Sequence, residues 1–222
     1  MELKKIEAVI FDLDNTLYSE KKFFNQYFKI FCKKFDYSFR KFTLNFNIDN
    51  EIYKENILKS ALLKIKKYNI INHNKSYKLL ISFNCRLKLY RGVLQTFSYI
   101  KKNKIKIGIL TNGSVKIQKK KILSLQLKNK VNKIVYAGDF KKQKPYKESF
   151  IKILKLLKVK SENTIFIGDN YKTDIVGAKK LNMFTIHYTK IKNDKRYTDL
   201  CVENFHDLQI ILKTKLLKKK TI

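Results

Sequence analysis

Apolar positions along the chain change their period twice, near residue 17 and again near residue 89. Ala8-Val9-Ile10-Phe11 is an unbroken apolar run that closes on Asp12, Asp14, Asn15 and Thr16. A short apolar run ending in polar residues predicts a buried strand of a parallel sheet with its carboxyl end open to solvent. After Thr16 the pattern turns helical. Phe24, Phe28, Phe31 and Phe35 recur at three- and four-residue spacing between lysines, which predicts an amphipathic helix with a buried aromatic face. Ile52, Leu58, Leu62, Leu63 and Ile65 predict a second helix over about 50–68, and a shorter one is predicted over about 75–83. No strong buried strand is predicted between Leu17 and Leu89, so residues 18–89 are read as an inserted helical domain.

Beyond that span strands and helices alternate. Strands are predicted at Ile105–Leu110, Ile134–Ala137, Thr164–Ile167 and Phe184–His187, with a short edge strand at Leu200–Val202. Helices are predicted over Gly92–Lys102, from Ser114 to about Leu127, over Lys147–Leu157, over Thr173–Leu181, and from Phe205 to Lys218-Lys219-Lys220. This alternation implies an α/β fold with a parallel sheet and right-handed crossovers, formed by residues 1–17 and 90–222.

Composition changes this picture little. At 44% hydrophobic the chain can build a core, and disorder would need far fewer apolar residues. The net charge of +32 is the unusual number. Arg40, Arg86, Arg91 and Arg196 are the only arginines, so 46 of the 50 basic residues are lysine. Nucleic-acid sites favour arginine for bidentate contacts. The lysines therefore read as a solvated surface that steers anions inward, and nucleic acid is not expected as the main partner. Cys32, Cys85 and Cys201 are odd in number and far apart, which predicts neither a zinc site nor a disulfide framework. No apolar run approaches membrane-spanning length, and Met1–Lys5 runs straight into the first strand, leaving no room for a leader. A cytoplasmic location is expected.

The candidate chemistry sits at the predicted strand ends. In extended backbone, residues i and i+2 face the same side, so Asp12 and Asp14 are neighbouring carboxylates. The next strand ends at Thr111 and Asn112, and the fourth at Gly168-Asp169, with Asp174 close behind. Lys144 precedes Pro145, the chain's one proline. Parallel strands deliver their ends to one crevice, which would gather at least three carboxylates, a hydroxyl and an ammonium. Clustered carboxylates call for a hard divalent cation, and oxygen ligands with phosphate chemistry favour Mg²⁺. Asp12 suits a nucleophile and metal ligand, Asp14 a general acid/base, and Thr111, Asn112 and Lys144 the binding of phosphate oxygens. The plainer readings are helix caps for Thr111, Asp169 and Asp174, and chance for one lysine among 46.

Four ordered segments carry a resemblance: Asp12-Leu13-Asp14-Asn15-Thr16, Leu110-Thr111-Asn112, Lys144-Pro145 with Phe150, and Gly168-Asp169-Asn170 with Asp174. Together they resemble the haloacid dehalogenase-like (HAD) hydrolase superfamily. The resemblance implies a Rossmann-like core of strand order 5-4-1-2-3 with a helical cap, and a phosphatase of small phosphorylated metabolites. It implies a phospho-aspartyl intermediate on Asp12. It assigns Mg²⁺ to Asp12, the backbone carbonyl of Asp14 and Asp169, and gives supporting roles to Thr16 and Asp174. Asp174 would hold a metal-bound water or Lys144. A phosphomutase of the same fold stays open, as does a non-catalytic basic scaffold. The dehalogenase branch is excluded because it would require another residue at position 14. Asn182 stands where relatives often carry glycine.

Overall fold

The computed structural model describes residues 5–53, 56–190 and 196–216. The chain divides into two compact units, one of Met1–Tyr18 with Lys88–Ile222 and one of Ser19–Leu87.

The smaller unit is helical: α1 (Glu20–Lys34), α2 (Phe39–Asn45), α3 (Ile48–Glu51), α4 (Ile57–Lys64) and α5 (Ile70–Ser82). Aromatic rings make up much of its core, with Leu58, Ala61, Leu62 and Leu80 among the buried aliphatic residues. Phe24, Tyr27, Phe28 and Phe31 of α1 pack on one another and on Phe42, Phe46 and Phe83, with ring centroids 4.9–6.4 Å apart. The Tyr27 hydroxyl donates to the Ser76 carbonyl at 2.9 Å, so α5 is tied to α1 by a buried polar contact as well.

Two helix expectations are corrected here. The helix expected over 50–68 is broken into α3 and α4, because Asn56 caps a new helix by accepting from the Lys59 amide at 3.0 Å. The helix expected from about residue 75 starts at Ile70, where Asn69 accepts from the Asn72 amide at 2.8 Å. Helix α2, capped by Ser38, was not expected at all; at seven residues it is too short to show an apolar period.

The larger unit holds six parallel strands: β1 (Ala8–Phe11), β2 (Lys106–Thr111), β3 (Lys133–Tyr136), β4 (Thr164–Gly168), β5 (Phe184–Tyr188) and β6 (Leu200–Val202). Their spatial order is β3-β2-β1-β4-β5-β6. Read from the other edge, this is the expected 5-4-1-2-3 arrangement, with β6 added outside β5. Helices α6 (Val93–Lys102), α7 (Val115–Ser124), α8 (Lys147–Leu157), α9 (Val176–Lys179) and α10 (Phe205–Ile211) flank the sheet. The run expected as one helix over Thr173–Leu181 opens with a wide π turn, Tyr171–Ile175, before α9. Lys218–Lys220, expected at the end of the last helix, lie outside the described residues.

Strand β1 is central and wholly buried. Its alternate side chains serve both faces of the sheet. Ala8 and Ile10 join a cluster with Leu110, Phe150, Ile153 and Phe166. On the opposite face Phe11 packs tilted against Phe97 at 5.2 Å and stacks on Phe205 at 6.4 Å. Burying each such side chain stabilises the fold by roughly 1.5–3 kcal/mol. The register sets Phe11 beside Ile109 and Ile167, so β1, β2 and β4 present their carboxyl ends side by side. Among the described residues, no helix is long and apolar enough to cross a membrane.

Candidate active site

The turn after β1 carries the first two candidate groups. The Asp12 amide donates to the Ile167 carbonyl at 2.8 Å, which prolongs the sheet by one residue. Asn15 then takes a left-handed conformation with φ 54°, and Leu17 closes the turn onto Leu13 at 3.0 Å. Asparagine tolerates this conformation better than most residues. Thr16 is fully buried, and its Oγ1 lies 3.4 Å from Asp169 Oδ1, joining the β1 and β4 ends.

Asp12 faces an ammonium shared with a second acid. Lys144 Nζ lies 2.5 Å from Asp12 Oδ1, 2.7 Å from Asp174 Oδ1 and 3.0 Å from the Leu110 carbonyl. The lysine is 4% exposed. Burial opposes its charge, but Asp12 and Asp174 outweigh burial and hold it protonated above the ordinary lysine range. Asp12 responds in the other direction. Burial, with the charges of Asp174 and Asp14, outweighs Lys144 and pushes its carboxyl up to about 8. One ammonium between two buried carboxylates leaves negative charge in surplus.

The Lys144 loop is latched by Asn112. Asn112 Oδ1 accepts from the Lys144 amide at 3.0 Å, and its Nδ2 donates to the Lys144 carbonyl at 3.1 Å. Its side-chain amide is thus engaged with the loop. Beside it the Gly113 amide, at φ 98°, donates to Gln143 Oε1 at 2.7 Å.

Asp14 has a different set of partners. Its Oδ1 accepts from Lys121 Nζ at 2.6 Å and from the Tyr18 hydroxyl, and its Oδ2 accepts from Gln118 Nε2 at 2.6 Å. Burial again opposes ionisation most strongly. Here the charge and hydrogen bond of Lys121, with the bonds from Tyr18 and Gln118, overcome it and hold the carboxyl below its ordinary value. Gln118 Nε2 also reaches Thr111 Oγ1 at 2.5 Å, so one amide joins Asp14 to the hydroxyl at the end of β2.

Asp12, Asp169 and Asp174 each offer an oxygen within 4.8 Å of the others. The donors are all carboxylate and one of them is partly exposed, which fits a hard divalent cation. The charge count agrees: four carboxylates, including Asp14, meet two buried lysines. Asp174 is already committed, with Oδ1 on Lys144 and Oδ2 on the Asn170 amide at 3.1 Å. Asp12 and Asp169, the side-chain ligands that the family resemblance implies, both belong to this trio. The Asp14 carboxylate lies outside this trio. The β4 loop is fixed from two sides. His187 Nε2 donates to the Asp169 carbonyl at 2.9 Å. A Cβ on Gly168 would overlap the Asp174 carboxylate, lying 2.7 Å from its Cγ.

Every residue singled out from the sequence thus lies at one end of the sheet: Asp12, Asp14, Thr16, Thr111, Asn112, Lys144, Asp169 and Asp174. Sequence reasoning missed Tyr18, Gln118 and Lys121. A signal was present for two of them. Gln118, Lys121, Ile122 and Leu125 are spaced i, i+3, i+4 and i+7, and all four are buried. The run of lysines through α7 hid that stripe.

The sequence and the fold match known proteins. A family model of haloacid dehalogenase-like hydrolases matches residues 9–188. Glyceraldehyde 3-phosphate phosphatase of Methanocaldococcus jannaschii is 28% identical over 94% of this chain and 97% of its own. Pyrophosphatase PpaX of Bacillus mycoides is 26% identical over the same shares. Among solved structures, magnesium-bound YfnB from Bacillus subtilis superposes with a TM-score of 0.75 at 18% identity, covering 95% of this chain and all of that one. With its signature residues gathered at the carboxyl ends of β1, β2 and β4, the chain belongs to the haloacid dehalogenase-like hydrolases.

Proposed function

We propose that the chain is a Mg²⁺-dependent phosphatase of a small phosphate monoester, working through a phospho-aspartyl intermediate on Asp12. The observation that carries this reading is the charge count at the strand ends, where four carboxylates face two buried lysines. That surplus calls for a divalent cation, and the hydroxyl and ammonium beside it suit a phosphoryl group. When bound, Mg²⁺ neutralises charge on the phosphoryl oxygens and keeps Asp12 ionised. Asp12, Asp169 and the Asp14 carbonyl are its proposed ligands.

In the first half-reaction an Asp12 oxygen attacks phosphorus, the ester P–O bond breaks, and Asp14 gives a proton to the departing alkoxide. In the second, Asp14 takes a proton from water, the water oxygen attacks phosphorus, and the Asp12–phosphorus bond breaks. Thr111 and Lys144 hold the phosphoryl oxygens, while Asn112 keeps the Lys144 loop in place. Asp174 anchors Lys144, and Thr16 joins the β1 and β4 loops. Residues 1–17 and 90–222 are assigned the catalytic core and residues 18–89 a cap. A sugar phosphate or nucleoside monophosphate is the expected substrate class, and the triose-phosphate relative supports the former. The scattered cysteines and a metabolite substrate fit a cytoplasmic setting.

The test is phosphate release from a panel of phosphosugars, nucleoside monophosphates, pyrophosphate and an aryl phosphate, with and without Mg²⁺. Metal-dependent release is expected, with loss on Asp12→Asn. Silence across the panel overturns the phosphatase reading, and an isomerised sugar phosphate in place of free phosphate would make the chain a mutase.

A further inference from the structure

Helix α7 places two polar side chains where its periodicity calls for apolar ones. Gln118 and Lys121 share a stripe with Ile122 and Leu125, and both are 2% exposed. The chain carries 46 lysines, and among the described residues only Lys121 and Lys144 are buried. Burying one costs free energy unless it is paired and hydrogen-bonded. Both α7 side chains end on the same carboxylate: Lys121 Nζ at 2.6 Å from Asp14 Oδ1, and Gln118 Nε2 at 2.6 Å from Asp14 Oδ2. Tyr18 adds its hydroxyl to Oδ1. The carboxylate is thus gripped on both oxygens by donors from two separate segments.

We propose that Gln118 and Lys121 are positioning residues for the acid/base group, and that with Tyr18 they form a cradle fixing the direction in which Asp14 presents its oxygens. This rests on the phosphatase reading. Gln118 does a second job, because the same Nε2 touches Thr111 Oγ1 at 2.5 Å. It thereby sets the spacing between the group that moves the proton and the hydroxyl that holds the phosphoryl oxygen. Proton transfer demands hydrogen-bond reach in a productive pose, and small misplacement of a reacting group is costly. The Gln118 amide makes the bridge between these two groups, and the Lys121 ammonium holds Asp14 from the other oxygen.

The test is a kinetic double-mutant cycle using Lys121→Met and Gln118→Met, each alone and combined with Asp14→Asn. An aryl ester with a good leaving group and an alkyl ester serve as substrates. In the wild-type background, kcat for the alkyl ester falls on the order of 10²-fold for Lys121→Met, with KM within about threefold. Gln118→Met falls less, and the aryl ester is less affected by either because its leaving group needs little help from a proton. On Asp14→Asn the Lys121→Met effect is lost, since it acts through a group already removed, and Gln118→Met keeps only the part that runs through Thr111. A fall of equal size in both backgrounds, or unchanged kcat in both variants, overturns the proposal. Gln118→Met is neutral and of similar size, so it answers the question even if Lys121→Met folds poorly.

A thermal-stability cycle on Lys121 and Asp14 reads the cradle without catalysis. Strongly non-additive shifts uphold it and additive shifts overturn it, even if the wild type proves silent on every phosphate ester. That silence alone would end the phosphatase reading and leave the cradle standing.

Discussion

Asp12 and Asp14 leave the same strand two residues apart, and their surroundings drive them in opposite directions. Asp12 shares one ammonium with Asp174 and is pushed up to about 8. Asp14 has an ammonium, an amide and a hydroxyl, and is held low. Both are buried enough for desolvation to act on them, so desolvation does not separate them. The ratio of positive donors to carboxylates does. Without a cation these directions are the reverse of what a nucleophile and a proton donor need, so the proposed roles depend on the charge that Mg²⁺ and the phosphoryl group bring. The short-of-charge side, around Asp12, is also the side with the three-carboxylate cluster.

The comparison breaks most completely at Asp12. Asp12→Asn is expected to abolish turnover and all phosphoryl transfer to protein. Asp14→Asn keeps a nucleophile, so acid-quenched protein should still carry label from a radiolabelled aryl phosphate. Equal labelling of both variants would remove the distinction.

Lysine removal gives the next largest effect, on stability. Lys144→Met strands two buried carboxylates without their cation and should cost about 3–5 kcal/mol in denaturant unfolding. Lys121→Met leaves Asp14 with Gln118 and Tyr18, so about 1–3 kcal/mol is expected. A reversed order would contradict the assignment of Asp12 as the more strained carboxylate.

Acidity sharpens the contrast further. Native Asp12 keeps its proton up to about 8, against 3.8 in the unfolded chain. Its contribution is fully present below 3.8 and is lost as pH rises through about 8. Metal-free protein should therefore lose melting temperature as pH rises from about 4 to about 8, with no further loss from this group above that, and Asp12→Asn should flatten that slope. Asp14 has the opposite sign. Its contribution is present above 3.8 and disappears only as pH falls through its lowered native value. The gap in melting temperature between wild type and Asp14→Asn should hold steady near neutrality and close in acid.

The smallest expected effect is a metal shift. Mg²⁺ should raise the melting temperature of the wild type, more at alkaline than at acid pH, because binding must displace the Asp12 proton. Asp169→Asn should remove most of that rise, while Asp14→Asn, which keeps its backbone carbonyl, should leave it largely intact.

Much of this site was legible in the sequence because strand ends announce themselves. An apolar run that stops at an acid or a hydroxyl places that group at the sheet edge, whatever the tertiary details. Asp12, Thr111 and Asp169 were found that way. Lys121 was not, because it sits among Lys119 and Lys120 and only its phase with Ile122 and Leu125 separates it. In a lysine-rich chain the identity of a residue carries little information and its position on the helix carries nearly all of it. In the helical unit helix boundaries and the short α2 were missed: apolar positions recur across Ile52 and Leu58, while Asn56 starts a new helix through a single capping bond.

Gly168 bears on how such a site can change over time. Its missing side chain is the space into which the Asp174 carboxylate fits, and that carboxylate is an anchor of Lys144. Even one added methyl there would drive the loop outward and carry the anchor with it. A larger residue at position 168 therefore displaces a group on which the lysine depends.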